Sequence, residues 1–176
     1  MFSKETINGI KKGKIAVLPT DTIYGLVCSA SNKNSIEEMY RIKNRNVSKP
    51  FVFLIGNISQ LKDLGIQTKE IFSKHWPGPT SLILSDTNIP EYLHRGKKSL
   101  AVRLPADKKL QELLNQTGPL ASTSANLEGK TPATTIDEAR AYLGTKVNLY
   151  IDRGKLLNKP SKIIRITGNT IKTVRE

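Results

Sequence analysis

The sequence predicts an α/β fold, a twisted mixed β-sheet covered by helices, in a single domain spanning residues 1–176. Three observations carry this expectation. Short apolar runs rich in β-branched residues interleave with amphipathic stretches that end at glycine or proline. A length of 176 residues supports one substantial core. No repeat, low-complexity tract or linker divides the chain.

Taken in order, Ser3 to Lys12 reads as a short helix with Ile7 and Ile10 on one face and Gly13 at its end. Ile15 to Leu18 is a buried strand. Ser35-Ile36-Glu37-Glu38 has the capping-box pattern, so a helix is expected to start there, with Ile36, Met39 and Tyr40 inward. Phe51 to Ile55 is a second buried strand. Thr68 to His75 is expected to be helical and to stop at Trp76-Pro77-Gly78-Pro79. Ser81 to Leu84 and Leu100 to Leu104 are strands. Asp107 caps a helix bearing Leu110, Leu113 and Leu114, which ends before Gly118-Pro119. Thr135-Ile136-Asp137-Glu138 opens another capping-box helix, closed by Gly144. Asn148 to Ile151, Lys162 to Ile166 and Thr170 to Val174 complete the strands. Thr87 to Ser99 reads as a surface loop, either a connector or a lid over a site.

Composition narrows the function classes. Hydrophobic content of 38% and charged content of 24% belong to a globular protein. The lone Cys28 excludes an internal disulfide and a multi-cysteine metal site, and fits a reducing cytoplasm. No apolar run has the length of a membrane span, and the amino terminus has no signal-peptide core, so a cytoplasmic location without membrane contact is expected. The net charge of +13 attracts phosphates, RNA included, and is equally compatible with a lysine-rich solvated surface. Aromatic content of 6% argues against a base-stacking platform. There is no phosphate-loop or dinucleotide-binding glycine pattern, no serine–histidine–acid constellation, and no metal-ligand spacing between His75 and His94.

Three polar islands remain, each beside a strand-like run: Pro19 to Gly25, Lys43-Asn44-Arg45, and Ser122-Thr123-Ser124-Ala125-Asn126. Polar groups at strand ends converge in clefts, and two cations with neutral hydrogen-bonding groups suit a polyanion. Helical spacing from Ile36 and Met39 puts Lys43 on the apolar face, where it must snorkel or meet an anion. On residues alone, Lys43 and Arg45 are also ordinary cations at a helix C-terminus. Ser124 and Asn126 are also ordinary turn residues, and Arg103 is also a strand-end salt-bridge former.

With Trp76-Pro77-Gly78-Pro79 and Ala101-Val102-Arg103 between the second and third islands, five ordered motifs resemble the YrdC-like family of threonylcarbamoyl-AMP synthases. The match runs from about Ile15 to Glu176 and is similar to the compact bacterial TsaC branch. The resemblance implies a basic concave cleft and a nucleotidyltransferase. L-threonine, bicarbonate (or CO2) and ATP would give threonylcarbamoyl-adenylate and pyrophosphate, with Mg2+ entering on ATP and no metal ligands from the protein. It implies catalytic roles for Lys43 and Arg45, which with Ser124, Asn126 and Arg175 bind ATP. Threonine falls to Thr20, Ser99, Arg103 and Ser161, with Thr22 an alternative to Thr20. Partner proteins would transfer the threonylcarbamoyl group to adenosine 37 of tRNAs reading codons that begin with A; the scattered lysines are compatible with weak tRNA contact and leave direct binding open. Asp21 stands where many relatives carry Glu, Leu54 where some carry His, and Lys162 where a neutral or acidic residue is usual. Two rivals are a double-stranded RNA or tRNA binding module without turnover, and a carbamoyl-transfer relative from hydrogenase maturation.

Overall fold

A computed structural model describes residues 2–67, 72, 74–85, 88–167 and 170–176. Among these, the strands form one nine-stranded mixed sheet in the order β7-β1-β2-β6-β3-β5-β4-β8-β9. The strands are β1 (Ala16–Pro19), β2 (Tyr24–Ser29), β3 (Val52–Leu54), β4 (Thr80–Ser85), β5 (Ser99–Arg103), β6 (Leu120–Ser124), β7 (Leu149–Tyr150), β8 (Lys162–Thr167) and β9 (Thr170–Arg175). The helices are α1 (Lys4–Lys11), α2 (Lys33–Lys43), α3 (Glu91–His94), α4 (Lys108–Thr117) and α5 (Ile136–Leu143), with 3-10 turns at Ile58–Leu64 and Gly144–Lys146.

The helix starts follow from cap chemistry. Ser3 accepts the Thr6 N–H, Asp107 the Leu110 N–H at 3.0 Å, and Thr135 the Glu138 N–H at 3.2 Å. Glu138 returns its carboxylate to the Thr134 N–H. α2 begins before the expected Ser35. Asn32 caps it by accepting the Ser35 N–H, and the Ser35 hydroxyl instead donates to the Gly13 carbonyl at 2.7 Å. β2 was not expected as a strand, because the second half of a polar island runs straight into it. The expected strand at Asn148 shrinks to two residues parallel to β1. Of the expected loop from Thr87 to Ser99, Thr87 lies outside the described residues, residues 88–98 include the helical turn α3, and β5 starts at Ser99. Residues 68–71 and 73 of the expected helix at Thr68 to His75 lie outside the described residues.

The two sheet faces are unequal. One carries the larger core, where Ile36, Met39 and Tyr40 of α2 and Ile136, Ala139 and Leu143 of α5 pack on Val17, Leu26, Phe53, Leu82 and Val102. The other carries a smaller cluster, in which Ile7 and Ile10 of α1 and Leu110, Leu113 and Leu114 of α4 cover Ala16, Leu18, Val27, Leu54 and Leu120. Strand pairing places Gly25 opposite Ser124, Val52 opposite both Ser122 and Ala101, and Leu54 opposite Arg103. These side chains share the second face with the α1 and α4 cluster, because opposed residues in a ladder point the same way. They extend beyond that cluster, and there the face is open.

Candidate active site

The open part of this face is a cavity of about 330 Å³. Its floor is Gly25, Val52, Leu54, Ala101, Ser122 and Ser124, and its rim includes Thr20, Thr22, Arg45, Arg103, Asn126, Lys130, Ser161 and Arg175. Gly25 is needed for space: a Cβ there would lie 3.2 Å from Ser122 Oγ and 3.4 Å from Thr20 Cγ2. Three arginines and a lysine line the cavity, and no described lining residue is a carboxylate. Such a lining favours an anionic ligand.

Each cation is held differently. Arg103, 4% exposed, forms an ion pair with Asp21 and donates to Thr22 Oγ1 at 3.1 Å and the Gly78 carbonyl at 3.2 Å. Asp21 also accepts the Ala106 N–H at 3.0 Å. Burial pulls the Arg103 pKa down, Asp21 opposes this, and Arg175 adds to it. A guanidinium has five N–H donors, so three anchoring contacts leave two for a carboxylate. The structural salt bridge and a binding role are therefore compatible. Arg175 donates from Nε and one terminal nitrogen to the Ser161 carbonyl, at 3.1 and 2.6 Å. Arg45 donates to the Lys49 carbonyl at 3.1 Å and lies 5.5 Å over the Phe51 ring.

Lys43 is only 2% exposed and is not part of the lining. Its ammonium donates to the Ser124 carbonyl (2.7 Å), the Asn126 carbonyl (2.9 Å) and Asn126 Oδ1 (2.7 Å), which uses all three protons. Asn126 passes its own amide N–H to the Lys130 carbonyl. Burial lowers the Lys43 pKa to about 8, helped by Arg45 and opposed by Glu128. Lys43 therefore ties the Ser124–Asn126 turn together from beneath.

The Sua5/YciO/YrdC family model, described as telomere recombination, matches residues 8–176. The chain belongs to the Sua5/YciO/YrdC family. A putative threonylcarbamoyl-AMP synthase of Methanocaldococcus jannaschii is 34% identical over 180 residues, covering 99% of this chain and 83% of that one. A threonylcarbamoyl-AMP synthase of Blochmanniella pennsylvanica is 34% identical, covering 96% of this chain and 92% of that one. The crystal structure of P. abyssi Sua5 complexed with L-threonine superimposes with a TM-score of 0.88 at 28% identity, covering 97% of this chain. This chain spans 52% of that Sua5 chain.

Within this Sua5/YciO/YrdC fold, the cavity gathers Thr20, Thr22, Arg45, Arg103, Ser124, Asn126, Ser161 and Arg175. Two expected site residues are elsewhere. Lys43 lies below the floor, and Ser99 stands at the far end of β5, opposite Ser85, with its hydroxyl on the Lys97 carbonyl. Four residue steps along the strand separate Ser99 from Arg103, about 13 Å at the usual rise. The Thr20 hydroxyl accepts the Thr22 and Ile23 N–H groups and donates to the Ile23 carbonyl, so it shapes the turn. The Thr22 hydroxyl accepts from Arg103 and, because Thr20 gives its own proton to the Ile23 carbonyl, donates to Thr20 Oγ1 at 3.0 Å, so its part is to hold Arg103 in place. Lys162 is turned to Glu176 at 3.2 Å and takes no part in the lining. Ser122 belongs to the third polar island but has no assigned role in the sequence reading, which misses Lys130, Pro132 and Pro160 as lining residues. Ser122 was detectable as the residue two before Ser124 on the same strand face; Lys130 and the prolines carry no such pattern.

Proposed function

We propose that this chain is a threonylcarbamoyl-AMP synthase, which makes L-threonylcarbamoyl-adenylate and pyrophosphate from L-threonine, bicarbonate and ATP. The carrying observation is that Arg45, Arg103 and Arg175 converge on one cavity with no carboxylate among its described lining residues. The like charges feel one another: Arg45 contributes to a lowered Arg175 pKa, after burial. An anionic ligand relieves that repulsion.

The two remaining donors of Arg103 take the threonine carboxylate, with the Thr22 and Ser161 hydroxyls beside it. Arg45, Arg175 and Lys130 take the triphosphate, and Ser124 and Asn126 complete its cradle. Lys43 acts through the turn it ties and through its charge. The threonine amine, as its free base, first adds to CO2 supplied by bicarbonate: the N–C bond forms as one C=O π pair moves onto oxygen, and the nitrogen's proton passes to water. A carbamate oxygen then bonds to the α-phosphorus as the α–β phosphoanhydride breaks and pyrophosphate leaves with the electron pair. The carbamate is already anionic, so positioning and charge stabilisation suffice for this second step without a general base. Mg2+ would enter as the counter-ion of ATP, held mainly by the triphosphate oxygens. The product is an activated acyl donor. Partner proteins acting in the cytoplasm consume it by transfer to tRNA adenosine 37. No described helix is long and apolar enough to cross a membrane.

The deciding experiment is pyrophosphate release with each component withheld in turn. Release should require threonine and bicarbonate together. Undiminished release in degassed, bicarbonate-free buffer would indicate ordinary carboxyl adenylation. No release under any condition would leave an RNA-binding module.

A further inference from the structure

Glu128 is an anomaly at an anion site. It is a carboxylate two residues beyond Asn126, close enough to Lys43 and Arg45 to act electrostatically on Lys43 and to feel Arg45. By charge alone it opposes nucleotide binding. Its contacts give it a different task. One carboxylate oxygen accepts the Asn46 N–H at 2.9 Å, and the other pairs with Lys49 Nζ at 2.8 Å. The Glu128 N–H in turn donates to the Lys43 carbonyl at 3.0 Å. Residues 43–49 and 124–128 are thus laced in both directions, since Lys43 returns its ammonium to Ser124 and Asn126. Arg45 lies inside the laced segment, and its Nε rests on the carbonyl of Lys49. The Tyr40 hydroxyl donates to that same carbonyl at 3.1 Å.

We propose that Glu128 is a positioning residue for nucleotide binding: its carboxylate clamps the 46–49 segment so that the Lys49 carbonyl holds Arg45 over the cavity. This rests on the assignment of the cavity to ATP. Without the clamp, Arg45 keeps its charge and the Lys49 carbonyl keeps its Tyr40 bond, but segment 46–49 loses its two ties to Glu128, so the Lys49 and Pro50 carbonyls hold Arg45 less closely. The chain thus accepts one unfavourable charge near the cavity, outside its lining, for a preorganised cation.

Charge and positioning predict opposite signs, which makes the test sharp. ATP affinity should be measured by calorimetry for wild type, Glu128→Gln and Glu128→Ala, with melting temperature as a folding control. Positioning predicts that Gln, which keeps one acceptor, weakens ATP binding roughly threefold and Ala roughly tenfold. It also predicts a raised KM for ATP with KM for threonine unchanged. Lys49→Met should lower ATP affinity and shrink the further effect of Glu128→Gln. Equal or tighter ATP binding by both Glu128 variants would overturn the inference while leaving the ATP assignment intact. A wild type that binds no ATP would overturn the assignment and the inference with it.

Discussion

At the scale of single residues, burial decides what each cation can do. Arg103 keeps its charge because Asp21, Thr22 and Gly78 replace the lost water. Losing one partner of so buried a pair typically costs about 3–5 kcal/mol. Lys43 has neutral carbonyl, amide and hydroxyl oxygens around its ammonium, and its pKa falls from 10.5 to about 8, chiefly through burial. The consequences run in opposite directions. Above pH 8 the folded protein loses this proton while the unfolded chain, with a lysine pKa of 10.5, retains it. Stability from this group therefore rises with pH between about 8 and 10.5. Nucleotide binding should fall over the same range, because a positive charge beneath the cradle disappears. Carbon-13 NMR of labelled lysines should show one titration near pH 8, absent in Lys43→Arg. ATP affinity should decline across the same inflection. A Lys43 resonance that titrates with the exposed lysines would refute this.

At the scale of elements, α4 joins the core to the cavity mouth. Asp107 caps the helix through the Leu110 N–H and forms an ion pair with Arg153. Arg153 begins a strap that runs to Pro160 and Ser161 in the cavity rim. The strap is tied again where the buried Tyr24 hydroxyl accepts the Arg153 N–H at 2.9 Å, and where Asn158 donates to the Asp21 carbonyl at 3.2 Å. Asp107→Asn preserves the cap acceptor and weakens the ion pair, whereas Asp107→Ala removes both. Chemical denaturation should show Ala destabilised by ~1 kcal/mol or more and Asn close to wild type. A raised KM for threonine in both variants would show that the strap, rather than the helix, carries the effect to the site. Loss of stability without any change in KM would separate the two.

At the scale of the whole molecule, +13 spreads well beyond the cavity. Lys162 is paired with Glu176, and Lys97 and Lys98 sit on the α3–β5 connection, away from the lining. Any contact with tRNA should therefore be weak and lose affinity steeply as salt rises, through counterion release. Filter binding across a salt series checks this. Tight, salt-insensitive and sequence-selective binding would instead point to a dedicated RNA surface.

Much of the scaffold is legible in the sequence. Apolar runs such as Phe51 to Ile55 and caps such as Asp107 encode their state within a few residues, so strands and helix starts follow from local chemistry. Identifying the family was also possible in one dimension, because its motifs are short and keep their order. Three things needed the fold. Asn32, rather than Ser35, starts α2, because Ser35 is drawn to the distant Gly13 carbonyl. Ser99 and Arg103 are near in sequence yet lie at opposite ends of one strand, since an extended chain separates neighbours quickly. Lys43 and Glu128 are 85 positions apart in number and are joined by backbone and charge only after β6 crosses beside β2. Residue type and local spacing are properties of the chain. Which donors are already spent, and which remain for a ligand, depends on partners that only tertiary packing brings within hydrogen-bond reach.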